Sequence, residues 1–114
     1  MVPASEARQV LLASMTEKQF KQTVVELATI LGWHVFSTWS SLHSPSGEPD
    51  LRLVHPSQKR VVWAELKSAR GKVSPSQKAA IETLREAGAE VFLWRPVEWP
   101  LIEAVLRGEL HGGL

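Results

Sequence analysis

The stretch that most constrains the fold covers residues 47–67, GEPDLRLVHPSQKRVVWAELK, and carries the only aspartate among 114 residues. Two β-like runs, residues 50–54 and 60–67, flank a Pro56-Ser57-Gln58-Lys59 turn, which predicts a hairpin. Asp50 and Glu65 are equidistant from the midpoint between Ser57 and Gln58, so they face each other across it. Directly opposed residues of an antiparallel pair have Cβ atoms roughly 4.5–5.5 Å apart. Two carboxylates that close repel, and one is driven toward protonation unless a positive charge sits between them. A divalent cation is the natural candidate.

The second run sharpens this. Val61, Trp63, Glu65 and Lys67 share one face by the strand period, while Val62, Ala64 and Leu66 share the other. Apolar residues on both faces predict a central strand covered on both sides. Glu65 and Lys67 then end a buried strand on the face of Asp50, where charge is costly unless compensated. A structural salt bridge between Glu65 and Lys67 would explain the pair, although a surface hosts such a bridge more cheaply.

The surrounding chain supplies the rest of the layout. Residues 1–15 hold a short apolar patch, Val10, Leu11 and Leu12, and read as an arm or a short helix suited to self-association. From Thr16, the positions Phe20, Val24, Leu27 and Ile30 or Leu31 recur at helical spacing. Thr16 and Gln19 form a capping-box pattern at the start, and Gly32 ends the helix. Glu17 belongs to the inward stripe of this helix, whereas Glu26 shares a face with Gln19, Gln22 and Thr23. An inward acid at a helix start either offsets the macrodipole or reaches a cation at the sheet edge. Residues 33–38 read as a strand, and a polar loop containing His43, Pro45 and Gly47 leads to Pro49. His43 is either a phosphate contact or general base, or an ordinary loop histidine.

After residues 68–73, a basic loop, Ser74-Pro75-Ser76-Gln77 opens a second helix with another capping box, and Gly88 closes it. Gln77 lies four residues before Ile81, so it points inward as well as capping. Residues 90–94 form a fourth strand and residues 99–107 a last helix, with Ile102, Val105 and Leu106 on one side. The order is α-β-β-β-α-β-α: an α/β fold with a mixed four-stranded sheet flanked by helices. This places one domain over residues 16–107, between the arm at 1–15 and a frayed tail at 108–114.

Composition narrows the function classes. A hydrophobic fraction of 44% in a chain of this length supports one real core, and the absence of cysteine excludes thiol chemistry and cysteine-ligated zinc. No apolar run reaches membrane-spanning length, so a cytoplasmic location is expected. Net charge is only +1, yet from Arg52 to Lys78 seven basic residues (Arg52, Lys59, Arg60, Lys67, Arg70, Lys72, Lys78) stand against one acid, Glu65. On its own such a cluster reads as an ordinary solvated surface; beside a carboxylate pair it reads as a phosphate-binding surface, for which Arg52, Arg70, Lys72, Ser74 and Lys78 are the candidates. Asp50, Glu65 and the Leu66 backbone carbonyl offer oxygen ligands suited to Mg²⁺ or Mn²⁺. Lys67 could position or deprotonate an attacking water, so the chemistry best served is metal-assisted phosphodiester hydrolysis.

At these residues the chain resembles a known family. Pro49-Asp50 followed by Glu65-Leu66-Lys67 matches the PD-(D/E)xK signature of a nuclease superfamily. The wider pattern resembles a small stand-alone VRR-NUC domain of phages and bacteria over residues 16 to about 107: G-x-PD-L, ELK, a Gly-containing basic loop, S-x-x-Q and then AGAEVFLWRP. Glu48 departs from it, adding an acid where relatives often carry an apolar residue. The resemblance implies a restriction-endonuclease-like fold, metal ligation by Asp50 and Glu65, catalysis by Lys67, support from Gln77, and Glu17 as the first-helix acid. It also implies a homodimer cutting four-way (Holliday) DNA junctions in a bacterial or phage-infected cell. The alternatives are a flap or nicking nuclease working with a helicase, and a DNA-binding module without catalysis.

Overall fold

The computed structural model describes residues 3–37 and 47–111, and the hairpin forms within them. Strands β2 (Leu51–His55) and β3 (Arg60–Leu66) pair antiparallel, with Leu51 opposite Ala64 and His55 opposite Arg60. Continued by one residue, this register sets Asp50 beside Glu65, as the symmetry of the turn requires. The turn itself is closed by the Lys59 N–H donating to the Pro56 carbonyl at 3.1 Å. Strand β1 (His34–Ser37) pairs antiparallel with β2, and β4 (Glu90–Trp94) pairs parallel with β3, giving the order β1-β2-β3-β4. His43, Thr38 at the end of the expected first strand, and residues 112–114 of the tail lie outside the described residues.

Helices α2 (Glu17–Ile30) and α3 (Pro75–Glu86) start at the two expected capping boxes. In α2 the Thr16 hydroxyl accepts from the Gln19 N–H at 3.1 Å, and the Gln19 side chain accepts from the Thr16 N–H at 2.9 Å. Each box satisfies two backbone donors that a helix start would otherwise leave exposed. Residues 4–13 of the N-terminal segment form a helix, α1 (Ala4–Ala13), which buries Leu12 and packs beside a 3₁₀ turn at Pro96–Glu98. Helix α4 (Trp99–Leu106) follows that turn and buries the three expected residues, Ile102, Val105 and Leu106.

The main core lies on one sheet face. Leu51, Leu53, Val62, Ala64 and Leu66 meet Phe20, Val24 and Ala28 of α2 and the buried side of α4. The inward stripe of α2 thus runs through Ala28 and Leu31, while Ile30 is 79% exposed. The opposite face is covered only in part, which corrects the expectation of a strand buried on both sides. There α3 packs on β4, whereas Phe36 of β1 is 48% exposed and Val61 of β3 is 47% exposed. Geometry explains the difference: a helix is ≈ 10–12 Å wide and strands lie ≈ 4.8 Å apart, so one helix covers about two strands. Among the described residues, two helices pack on the core face and only one on this side. Among the described residues, no helix is long and apolar enough to cross a membrane.

Candidate active site

The polar site sits where the parallel strands β3 and β4 end and β2 begins. Asp50 arrives through Gly47, Glu48 and the buried Pro49. Gly47 has φ +87°, and a Cβ there would lie 2.2 Å from the Ser76 carbonyl oxygen at the start of α3. No other residue fits, because both the left-handed backbone and the close approach demand glycine. The Asp50-bearing turn is therefore seated directly on the helix that carries Gln77.

Asp50 Oδ2 accepts the Leu66 N–H at 2.9 Å. An extended residue directs its N–H and C=O to the same edge of its strand, so the Leu66 carbonyl also faces the Asp50 side. Glu65, 1% exposed, has its Oε2 held by Gln77 Nε2 at 3.2 Å and lies 3.6 Å from Lys67 Nζ. Its Oε1 is buried without a hydrogen-bond partner. Burial first, and the Asp50 carboxylate second, push the Glu65 carboxyl up to about 7, against a smaller opposing pull from Lys67. Protonated Glu65 can share its proton with Asp50, but with both groups ionised no donor reaches Oε1.

Lys67 is 8% exposed, with its backbone N–H bonded to the Trp94 carbonyl at 3.0 Å, which extends the β3–β4 ladder to the lysine itself. Its Nζ also lies 3.9 Å from Glu17 Oε1 at the start of α2. Glu26 points elsewhere and accepts from Gln22 Nε2 at 3.1 Å, so Glu17 is the first-helix acid that reaches the site. Gln77 does two jobs at once: its Oε1 accepts the Ser74 N–H at 2.8 Å while its Nε2 donates to Glu65. The cap thereby fixes the orientation of the amide that holds the carboxylate.

The basic cluster divides. Lys59 and Arg60 lie at the opposite end of the hairpin, and Arg60 is 5% exposed and bonded to Glu90 and to the Val105 and Leu110 carbonyls. Burial thus removes Arg60 from the expected phosphate-binding surface. Arg52, Arg70, Lys72 and Lys78 are exposed, while the Ser74 hydroxyl accepts the Gln77 N–H at 3.2 Å as the cap of α3. Sequence reasoning missed Arg95. Its Nη1 donates to the Ser68 carbonyl at 2.8 Å and the Gly71 carbonyl at 2.7 Å, tying the loop of Arg70 to the end of β4. The available signal was a lone cation directly after an apolar strand and before Pro96.

An α/β chain that gathers two carboxylates, a lysine and an amide at the strand ends of a partly open mixed sheet has the make-up of a nuclease. Residues 4–97 match the VRR-NUC domain, so the chain belongs to the VRR-NUC family and is a nuclease of the PD-(D/E)xK type. Comparison with curated proteins and with solved structures gave no match. Nucleases of this type generally use divalent metal ions, and the site suits one: an orphaned carboxylate oxygen, a second carboxylate beside it and a backbone carbonyl on the same side. Among the described residues no group of three or more His, Cys, Asp or Glu is placed to hold a metal ion together, so Asp50 and Glu65 stand as a pair, and further oxygen ligands such as the Leu66 carbonyl suit an ion held there.

Proposed function

We propose that this protein is a divalent-metal-dependent endonuclease that hydrolyses phosphodiester bonds in branched DNA and resolves four-way junctions as a homodimer. The observation that carries the catalytic reading is buried Glu65, with an unpartnered oxygen beside Asp50 and its other oxygen held by Gln77 and Lys67. Asp50, Glu65 and the Leu66 carbonyl would hold Mg²⁺ or Mn²⁺. The ion would supply Lewis-acid stabilisation of charge developing on the phosphoryl oxygens. Lys67 offers an ammonium donor beside the same carboxylates, placed to orient a water and to offset negative charge at phosphorus. Glu17 and Glu65 hold that ammonium between them, and Gln77 keeps the Glu65 carboxylate from turning. On this reading Arg52, Arg70, Lys72, Ser74 and Lys78 would serve as phosphate contacts.

The dimer has a geometric rationale: paired cuts on two strands of a junction need two sites at fixed separation, which a two-fold axis supplies. Asp50→Ala and Lys67→Ala should each abolish cleavage of a four-way junction with Mg²⁺ or Mn²⁺ while leaving junction binding largely intact. Full cleavage by either variant would overturn the assignment. Flap, plain duplex and supercoiled plasmid substrates run beside the junction establish the substrate preference, and sedimentation of the free protein establishes the dimer.

A further inference from the structure

The sheet face left open by α3 carries one row of planar side chains. Phe36, Arg52 and Trp63 are direct cross-strand partners on β1, β2 and β3. The Arg52 guanidinium carbon lies 4.9 Å from the Phe36 ring centroid and 5.6 Å from that of Trp63. No carboxylate among the described residues comes within ion-pair distance of Arg52, so this cation is held by rings and remains open to an anionic partner. The row continues directly into the site. Two residues further along the same face stand Asp50 and Glu65, a rise of about 7 Å.

We propose that Phe36, Arg52 and Trp63 form a stacking platform for an unpaired nucleobase beside the scissile phosphate, so that the preferred substrate is a DNA strand splayed from its duplex at the cut. The proposal rests on the nuclease reading above and names the substrate feature that reading leaves open. Aromatic rings and guanidinium planes exposed on a sheet are stacking partners for unpaired bases of any sequence. The groove beside the row is lined by Phe36, Ser37, Glu48, Pro49, Arg52 and Trp63. This lining suits a base better than a phosphate. The exposed lining is mostly polar: the Ser37 hydroxyl and Glu48 carboxylate can accept from ring or exocyclic N–H groups, while the Phe36 and Trp63 rings at its edge offer stacking contact. The Glu48 carboxylate repels a phosphate, leaving Arg52 to neutralise the backbone outside the groove. A base inside a duplex is stacked on its neighbours and cannot reach these rings.

The test uses the full chain and two DNA probes of one sequence, a plain duplex and a duplex with a splayed end, each carrying 2-aminopurine next to the cut. Binding is measured in Ca²⁺ and cleavage in Mn²⁺. The wild type should quench 2-aminopurine on the splayed probe and favour that probe over the duplex by roughly tenfold, the effect of one stacked base. Phe36→Ala should collapse this ratio, and Phe36→Trp should retain it, with circular dichroism verifying that both variants are folded. An unchanged ratio in Phe36→Ala, or no quenching with wild type, overturns the platform. So does a wild-type dimer that Phe36→Ala converts to monomer with the ratio unchanged, because the face then belongs to a second copy of the chain. If wild type cuts neither probe nor any four-way junction or flap, the nuclease reading has failed, and the binding arm still decides the platform by itself.

Discussion

Glu65 is where burial and chemistry conflict most directly. A carboxyl 1% exposed and beside a second carboxylate favours its neutral form, and its pKa rises from 4.5 to about 7. The sign of the pH effect follows. Because the folded state holds this proton more tightly than the unfolded chain does, the contribution to stability is full below pH 4.5 and is lost as pH rises through about 7. Metal-free wild-type protein should therefore melt at progressively lower temperature across that window, and Glu65→Gln, which cannot ionise, should lack this component. Saturating Mn²⁺ should reverse the trend for wild type, since a cation replaces the proton most easily when the carboxylate is ionised. Identical pH profiles for the two proteins would refute this account. The opposition of Asp50 and Glu65 was legible in the sequence, because an antiparallel register is fixed by the symmetry of its turn. The shared duty of Gln77 was half legible: the capping box was plain, whereas its second bond to Glu65 depends on where α3 lands on the sheet.

At the scale of elements, the site depends on how three segments seat against one another: the turn before β2, the start of α3 and the loop after Lys67. Gly47→Ala would place a Cβ 2.2 Å from the Ser76 carbonyl and force a left-handed alanine, so the Asp50 turn and α3 must separate. A reactive constellation built on these segments tolerates little of this, since a displacement of the order of 1 Å can cost about 100-fold in rate. The expected outcome is a fall in turnover of at least that order with the cooperative unfolding transition retained; wild-type turnover in folded Gly47→Ala would contradict it. Arg95→Ala frees the Ser68 and Gly71 carbonyls and loosens the loop bearing Arg70. It should raise KM for DNA several-fold more than it lowers kcat, a split that a purely structural role would not give. Neither contact could be read from sequence. Gly47 was visible as a loop glycine and Arg95 as a cation beside a strand, but what each touches lies 29 and 24 residues away in the chain. The two capping boxes and the fourth strand were readable because each is fixed by neighbours within a few residues. The exposed face was misjudged because Val61 and Trp63 fit a buried strand equally well, and only the count of covering helices separates the cases.

At the scale of the molecule, the hairpin carries charge at both ends and uses it oppositely. Near the turn, Arg60 is fully partnered: Glu90 of the parallel neighbour, the Val105 carbonyl at the end of α4 and the Leu110 carbonyl beyond it. Trp33 adds a further tie, donating its indole N–H to the Leu106 carbonyl at 2.9 Å while the Arg60 guanidinium lies over its ring. These bonds anchor the C-terminal helix to the sheet. At the other end, Glu65 keeps one buried oxygen without a hydrogen-bond partner beside Asp50, and Arg70 and Lys72 of the loop are exposed. Removing a buried guanidinium together with its bonds to Glu90 and to two backbone carbonyls costs about 3–5 kcal/mol. Arg60→Ala should therefore lower unfolding free energy in urea by about that amount, with the slope of the transition unchanged. Its cleavage rate, measured well below the lowered midpoint, should stay close to wild type, because no Arg60 contact reaches Asp50, Glu65, Lys67 or Gln77. Stability equal to wild type would mean that α4 is held chiefly by its apolar face. Unchanged stability loss with abolished cleavage would mean instead that the two ends of the hairpin are coupled through β3, and the separation of anchoring from chemistry would be wrong.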